Sequence, residues 1–310
     1  MNNNRHGVSY HGKLNVEGTQ LINESGEAVV LKGMSSHGMQ WYPQFARTAS
    51  IRTTKHAGAN VFRIAMYTDE DGYLTDKSVA EKVCQAVDET LALDMYAIID
   101  WHILLDNNPL AHVDEAKAFF EKISQKYKNE PGVIYEICNE PNGTDVTWEG
   151  SVKPYAQQVI PVIRTNAPDA IILVGCPTWS QDVDSCAADP LNFKNILYTL
   201  HFYAGTHGDD LRQKCLKALA MGAPVFVSEW GTSAADGSGG VFLRESDEWL
   251  DFLATHTISW CNWSLGDRDE TSAALLPGAP LGNWTSEQLS ESGRYVFAKL
   301  NDPTKSQSRD

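Results

Sequence analysis

The stretch "VIYEICNEPNG", residues 133–143, begins as a buried strand and ends on Asn139, Glu140 and Pro141. Val133, Ile134, Tyr135 and Ile137 are β-branched or aromatic, the types that pack on a pleated surface covered on both faces. A carboxylic acid closing such a run is costly to bury unless it is paired or performs chemistry. What surrounds it depends on how many runs of this kind the chain holds and on what ends each of them.

Seven more are present: "VVLKGMSSHG" (29–38), "VFRIAMY" (61–67), "MYAIIDWH" (95–102), "IILVGCPTW" (171–179), "ILYTLHFYA" (196–204), "PVFVSEWG" (224–231) and "ISWCNWSL" (258–265). Near-continuous apolar runs fit parallel strands better than a half-exposed antiparallel sheet. Helical spacing separates them, as in Val79, Val83, Ala86, Val87 and Thr90, then Phe119, Phe120, Ile123 and Tyr127, then Val152, Tyr155, Val159 and Val162. Pro161 falls inside the third helix and is expected to kink it.

Eight strand–helix units over roughly 250 residues predict an α/β fold, a (β/α)8 TIM barrel. Doubly wound sheets usually carry fewer strands and a glycine-rich phosphate loop, and no such loop occurs. The segment "GKLNVEGTQLINESGEAVV" reads as a short N-terminal β-hairpin turning at Glu24-Ser25-Gly26 and capping the barrel bottom. The organisation expected is a disordered segment over 1–10, one catalytic domain over 11–300 and a disordered polar tail over 301–310.

With 42% hydrophobic residues the chain has ample material for one large core. Forty acidic residues against 25 Lys and Arg give a formal charge of −15, which repels nucleic acid and anionic membrane surfaces. No run of eighteen apolar residues and no basic, apolar leader follows Met1, so neither a membrane span nor an export signal is expected in this chain. The six cysteines form no C-x-x-C pair, which argues against structural zinc; buried free thiols are the simpler reading, although Cys176 and Cys186 are placed to bridge a loop.

In a barrel of this kind the C-terminal strand ends converge on one face, where polar residues read as chemistry. They are dense here: His37, Arg63, Tyr67, His102, Asn139, Glu140, Trp179, His201, Tyr203, Glu229 and Trp263. Glu140 and Glu229 close the fourth and seventh strands, so two carboxyls can face one cleft. Glycosidic cleavage needs such a pair, one protonated to donate to the leaving oxygen and one ionised to attack or stabilise the anomeric carbon. Donors such as Arg63 and Tyr203 would keep Glu229 ionised, while burial and the opposing charge would raise Glu140.

"IYEICNEP", "HFYAGTHG", "FVSEWGTSAADGSGG" and "CNWSLGDRDETSAAL" occur in order, and with them the chain resembles the bacterial endoglucanases of glycoside hydrolase family 5, subfamily 2, from about His11 to Leu300. The resemblance implies a retaining endo-β-1,4-glucanase acting on cellulose-type glucans. It makes Glu140 the general acid/base, Glu229 the nucleophile and Asn139 the residue that holds the sugar's 2-hydroxyl. Arg63 and Tyr203 then match the positions that place the nucleophile, His37, Tyr67, His102 and His201 line the sugar site, and Trp263 forms the platform beneath it. Trp41 matches the glycone-side platform and Trp179 the leaving-group side. Arg268 and Glu270 match a lysine and a glutamate that reach distal hydroxyls, with arginine here in place of lysine, which alters hydrogen-bond geometry but not the chemistry. Trp148, Trp249 and Trp284 are read instead as packing residues.

The same resemblance implies no metal or cofactor, a β-1,4-glucan as the only partner, a monomer, and secretion, since cellulose cannot enter a cell. Three alternatives stand beside it. Mannanases and xylanases share the barrel and both glutamates. A noncatalytic carbohydrate-binding barrel could keep the aromatic groove. A zinc hydrolase would need a His-x-His or H-E-x-x-H cluster, and neither occurs.

Overall fold

The computed structural model describes residues 6–301, and in it each of the eight apolar runs contains a parallel strand. A two-stranded antiparallel sheet, β1 (Asn15–Glu17) and β2 (Gln20–Ile22), precedes the barrel strands β3 (Lys32–Ser36), β4 (Val61–Tyr67), β5 (Tyr96–His102), β6 (Val133–Glu136), β7 (Ile172–Val174), β8 (Ile196–Tyr203), β9 (Val225–Gly231) and β10 (Trp260–Leu265). These eight close in chain order, β10 pairing β3, into a TIM barrel.

Helices α2 (Thr48–His56), α3 (Val79–Ala92), α4 (Val113–Lys126), α5 (Lys153–Asn166), α7 (Val183–Ala188), α8 (Asp209–Ala220), α9 (Leu243–Thr255) and α10 (Glu291–Leu300) flank it, with the short α6 (Pro177–Ser180) after β7. The buried stripe of α3 is Val79, Val83, Ala86, Val87 and Thr90, as its spacing predicts. Pro161 lies within α5, which runs on to Asn166. Trp148 and Trp249 are core residues, and Trp284 packs edge-on against Phe297.

Alternation along the strands stacks the barrel interior in layers. At the bottom Val61, Tyr96, Ile98, Ile134, Leu173, Leu197 and Phe226 pack against Leu14, Leu21, Val29 and Leu31 of the N-terminal segment, so the hairpin caps the barrel there. Two residues further up, the inward positions turn charged: Arg63, Asp100 and Glu136 are fully buried. At the mouth lie Tyr67, Tyr203 and Trp263.

Strand β9 breaks the alternation. Thr199 pairs with Phe226, but His201 pairs with Glu229, so β9 carries one extra residue between its ladder partners. On its other edge β9 shows the same offset, Trp260 pairing with Val227 and Asn262 with Trp230. A β-bulge of this kind re-aims side chains. Here it turns two consecutive residues, Ser228 and Glu229, toward the barrel axis, while Val227 and Trp230 pack outward into the main core.

Several sequence expectations need correction. The hairpin turns between Glu17 and Gln20, where Gly18 has φ 58°, whereas the turn at Glu24–Gly26 leads into a separate bridge between Ile22 and Ala28. The segment expected to be disordered over 1–10 is ordered from residue 6: α1 (Val8–His11) forms because Ser9 donates its N–H and hydroxyl to Asp94. Residues 1–5, and 302–310 of the expected tail, lie outside the described residues. Asn139 and Glu140 follow the end of β6 by three and four residues rather than ending it, and Trp179 sits in α6, beyond β7. All six cysteines are free thiols, with Cys176 and Cys186 in contact through their sulfurs.

Candidate active site

The strand ends open on a cleft of about 570 Å³ lined by His37, Tyr67, His102, Glu140, Trp179, His201, Tyr203, Glu229, Trp263, Arg268 and Glu270. Of the residues proposed from sequence, Arg63 and Asn139 lie beneath this surface, fully buried, and Trp41 stands at its rim, stacked at a tilt on Tyr67. A larger groove of about 1450 Å³ runs between α3 and α4 on the barrel's outside and contains none of these residues.

Carboxylate oxygens of Glu140 and Glu229 and a ring nitrogen of His201 lie within 4.8 Å of one another. Glu229 accepts from Arg63 Nη1 at 2.9 Å and from the Tyr203 hydroxyl at 2.7 Å. Burial alone would raise its pKa, but the positive charges of His201 and Arg63, with the Tyr203 bond, hold Glu229 below the ordinary carboxylate range. Glu140 faces His201 Nδ1 at 2.9 Å. Burial raises its pKa, the His201 bond pulls it down and the charge on Glu229 pushes it up, leaving Glu140 above the ordinary range. The two acids are therefore split in the sense that acid and nucleophile require.

A buried ionic cluster beneath the pair maintains the split. Arg63 contacts Glu136 at 2.7 Å through Nε and Asp100 at 3.0 Å through Nη2, and donates to Asn139 Oδ1 at 2.6 Å. Glu136 overcomes its burial through Arg63 and His201 and falls to about 2. Asp100 is pushed well up by burial and by its carboxylate neighbours. Arg63 lies against Glu136 and Glu229, and His201 against Glu140 with Glu136 just beyond, so each buried cation has carboxylate partners, the condition under which buried charge is tolerable.

The two histidines at this level behave oppositely. Burial and Arg63 lower His102 to about 3; its Nδ1 lies 2.6 Å from Asp100, and its Nε2 is 3.2 Å from the Asn139 amide nitrogen. His201 rises to about 9 despite burial because Glu136 and Glu140 favour its charged form. A protonated imidazole between two carboxylates has no lone pair to offer, so the Glu140–His201–Glu229 cluster suits a proton better than a metal cation.

Hydrogen bonds tie the Trp179 segment to the Glu140 segment. Thr178, Trp179 and Ser180 adopt left-handed φ of 58°, 53° and 55°, a conformation of order 1 kcal/mol or more per residue. It is held by Trp179 N donating to the Pro141 carbonyl at 3.0 Å and Ser180 Oγ to the Asn139 carbonyl at 2.6 Å, so Trp179 and Glu140 are attached to the same segment. Gly175 permits the approach, since a Cβ there would lie 2.3 Å from the Cys138 carbonyl oxygen. Trp263, followed by a cis peptide bond, lies nearly parallel to His102 with ring centroids 5.2 Å apart. Arg268 pairs with Glu270 at 3.1 Å and reaches His37 Nε2 at 3.1 Å, drawing this loop over the cleft.

Sequence reading missed Asp100, Glu136 and Ser228. For Asp100 and Glu136 the signal was present, since an acid inside a strand covered on both faces has nowhere to go but the barrel axis, whereas Ser228 carried none because the β9 bulge turns it inward.

Fold and site together define a barrel of the glycosidase type, with a glutamate pair of unequal proton affinity at the strand ends. The profile of "Cellulase (glycosyl hydrolase family 5)" matches residues 22–269. Endoglucanase A of Evansella cellulosilytica is 54% identical over 279 residues, covering 89% of this chain and 57% of the relative. An endoglucanase of Clostridium saccharobutylicum is 50% identical over 292 residues, covering 93% of this chain and 65% of its own length. The chain thus spans roughly three-fifths of these relatives.

Among solved structures, the cellulase Cel5C_n superposes with TM-score 0.93 at 46% identity, covering 98% of this chain and 96% of the other. The catalytic domain of a Thermobifida fusca endoglucanase in complex with cellotetraose gives 0.91 at 38% identity, covering 95% and 99%. This chain belongs to glycosyl hydrolase family 5.

Proposed function

We propose that the protein is an endo-β-1,4-glucanase that cleaves internal bonds of cellulose and related β-glucans with retention of anomeric configuration. The observation that carries this is the Glu140–Glu229 pair, with carboxylate oxygens within 4.8 Å and opposite displacement of their proton affinities. Retaining glycosidases hold their two carboxyls about 5–5.5 Å apart, while inverting ones leave room for a water between them. The endoglucanase names of the relatives and the cellotetraose bound by the T. fusca domain favour a β-1,4-glucan substrate.

In this reading Glu140 gives its proton to the glycosidic oxygen as Glu229 attacks the anomeric carbon, forming a glycosyl ester and releasing the shortened chain. Glu140, now ionised, takes a proton from water as that water attacks the same carbon and frees Glu229. Arg63 and Tyr203 keep Glu229 ionised and aimed. Asn139 has both amide hydrogens directed to His102 and Ile103, so Oδ1, already accepting from Arg63, is the atom left to take the sugar's 2-hydroxyl. Trp41, Trp179 and Trp263 stack on the apolar faces of glucose rings, and Arg268 and Glu270 reach hydroxyls of a distal sugar. The enzyme works outside the cell as a monomer.

Release of reducing ends from carboxymethyl cellulose, absent in Glu229→Gln, tests the reading, with mannan and xylan as competing substrates. The anomer formed first, read by NMR, tests retention: an α-anomer as the initial product refutes it.

A further inference from the structure

Glu136 and Ser228 do not reach the cleft, yet both are linked to groups that do. Both are fully buried. Ser228 Oγ lies 2.9 Å from His201 Nε2 and donates to Glu136 Oε1 at 2.6 Å. His201 Nε2 and Glu136 Oε1 are 3.8 Å apart, beyond hydrogen-bond length, so the hydroxyl bridges them. Across the ring, Nδ1 is 2.9 Å from Glu140 Oε1. Carboxylate, hydroxyl, imidazole and carboxyl form an unbroken chain ending on the candidate acid/base. Ser228 reaches its place because the bulge in β9 turns it inward beside Glu229.

We infer that Ser228 and Glu136 are positioning residues that fix the Nε2–H form of His201 and set how firmly the Glu140–His201 pair holds its proton. The inference rests on the glycosidase reading of Glu140. With Nε2–H directed at Ser228, only Nδ1 faces Glu140, so one proton has two seats, Glu140 Oε1 and His201 Nδ1. In glycosylation that proton leaves the pair for the glycosidic oxygen. In deglycosylation the pair recovers one from the attacking water.

His102 provides an internal comparison. Its carboxylate partner, Asp100, is itself pushed up, and His102 is held at about 3. His201 is backed by Glu136, held at about 2, and lies at about 9. Besides Glu136 and Glu140, the groups facing His201 are Glu229 on β9, Asp100 and His102 on β5, and His207 beyond β8. Of these, Glu136 alone is joined to Nε2 through a hydroxyl.

The test compares wild type, Ser228→Ala and Glu136→Gln by two readouts: the 15N imidazole titration of His201 by NMR without substrate, and the pH–rate profile on carboxymethyl cellulose. In Ser228→Ala the His201 titration and the alkaline limb both move down by about one pH unit, with the acid limb unmoved. In Glu136→Gln both limbs move down, because a lost negative charge lowers the proton affinity of Glu229 as well. A purely structural role lowers Tm or kcat and leaves titration and limbs in place; that result in Ser228→Ala overturns the inference, and Ser228→Ala decides alone if Glu136→Gln does not fold. A His201 titration that shifts in Ser228→Ala, where the wild type hydrolyses no glucan, upholds the link and refutes the glycosidase reading.

Discussion

Arg63 Nη1 lies 2.9 Å from Glu229 Oε2 while the same guanidinium, wholly buried, also holds Glu136 and Asp100. One residue of the second barrel strand thereby sets the charge of the seventh strand's glutamate and anchors acids from the third and fourth. Its planar fork spans three carboxyls at fixed angles, a geometry that the compact ammonium of a lysine does not reproduce.

Arg63→Lys should therefore cost kcat/KM about 100-fold or more. Weakening the cation raises the proton affinity of Glu229, so the acid limb of the pH–rate profile should move to higher pH. An unmoved acid limb would show that Arg63 does not hold the nucleophile ionised.

Tyr203→Phe removes the hydroxyl 2.7 Å from Glu229 Oε1 and keeps the ring. A hydrogen bond to a charged group contributes about 1.5–3 kcal/mol, so kcat should fall about 10- to 100-fold with Tm changed by only a few degrees. Steady-state kinetics and a thermal melt read both effects.

The pH–rate profile of the wild type should be a bell. Activity falls toward acid as Glu229, whose pKa is depressed, takes a proton, and falls toward alkali as the Glu140–His201 pair loses its last, near the His201 value of about 9. Stability follows the same groups with its own signs. Glu136, depressed from 4.5 to about 2, stabilises the fold above its unfolded value and ceases to as pH falls through 2. His201, raised from 6.5 to about 9, stabilises it fully below 6.5 and loses that contribution as pH rises through 9. Melts across pH should be flattest between these windows; a maximum Tm above pH 9 would contradict the assignment.

Trp179 is 45% exposed, and its backbone, not its ring, is tied to the Glu140 segment. Trp179→Ala should raise KM on soluble glucans about 3- to 10-fold, the range of one aromatic stacking contact, and leave Tm nearly unchanged. A loss of kcat at unchanged KM would instead mean that the ring positions Glu140.

The barrel was readable in the chain because strands covered on both faces write themselves as continuous apolar runs, and eight such runs alternating with amphipathic helices leave few topologies. The glutamate pair was readable because a carboxyl at the end of a buried run is conspicuous. The hairpin turn was misplaced because Gly18-Thr19 and Glu24–Gly26 are both good turn sequences, and pairing of Glu17 with Gln20 selects the first. Asp100 and Glu136 were passed over as parts of apolar strands, since nothing local says which partner neutralises an acid.

Periodicity and residue type are local properties, so they reach as far as element type, strand order and the acids near the ends of the apolar runs. Which charges meet is a consequence of closure: Arg63, Asp100, Glu136, His201 and Glu229 come from five strands and touch only when the eighth strand pairs with the first. The bulge that brings Ser228 and Glu229 to the same side depends likewise on the register of β9 against both neighbours. Proton affinity is set by burial and by neighbours in space, and it follows that the division of labour between Glu140 and Glu229 is a property of the folded barrel.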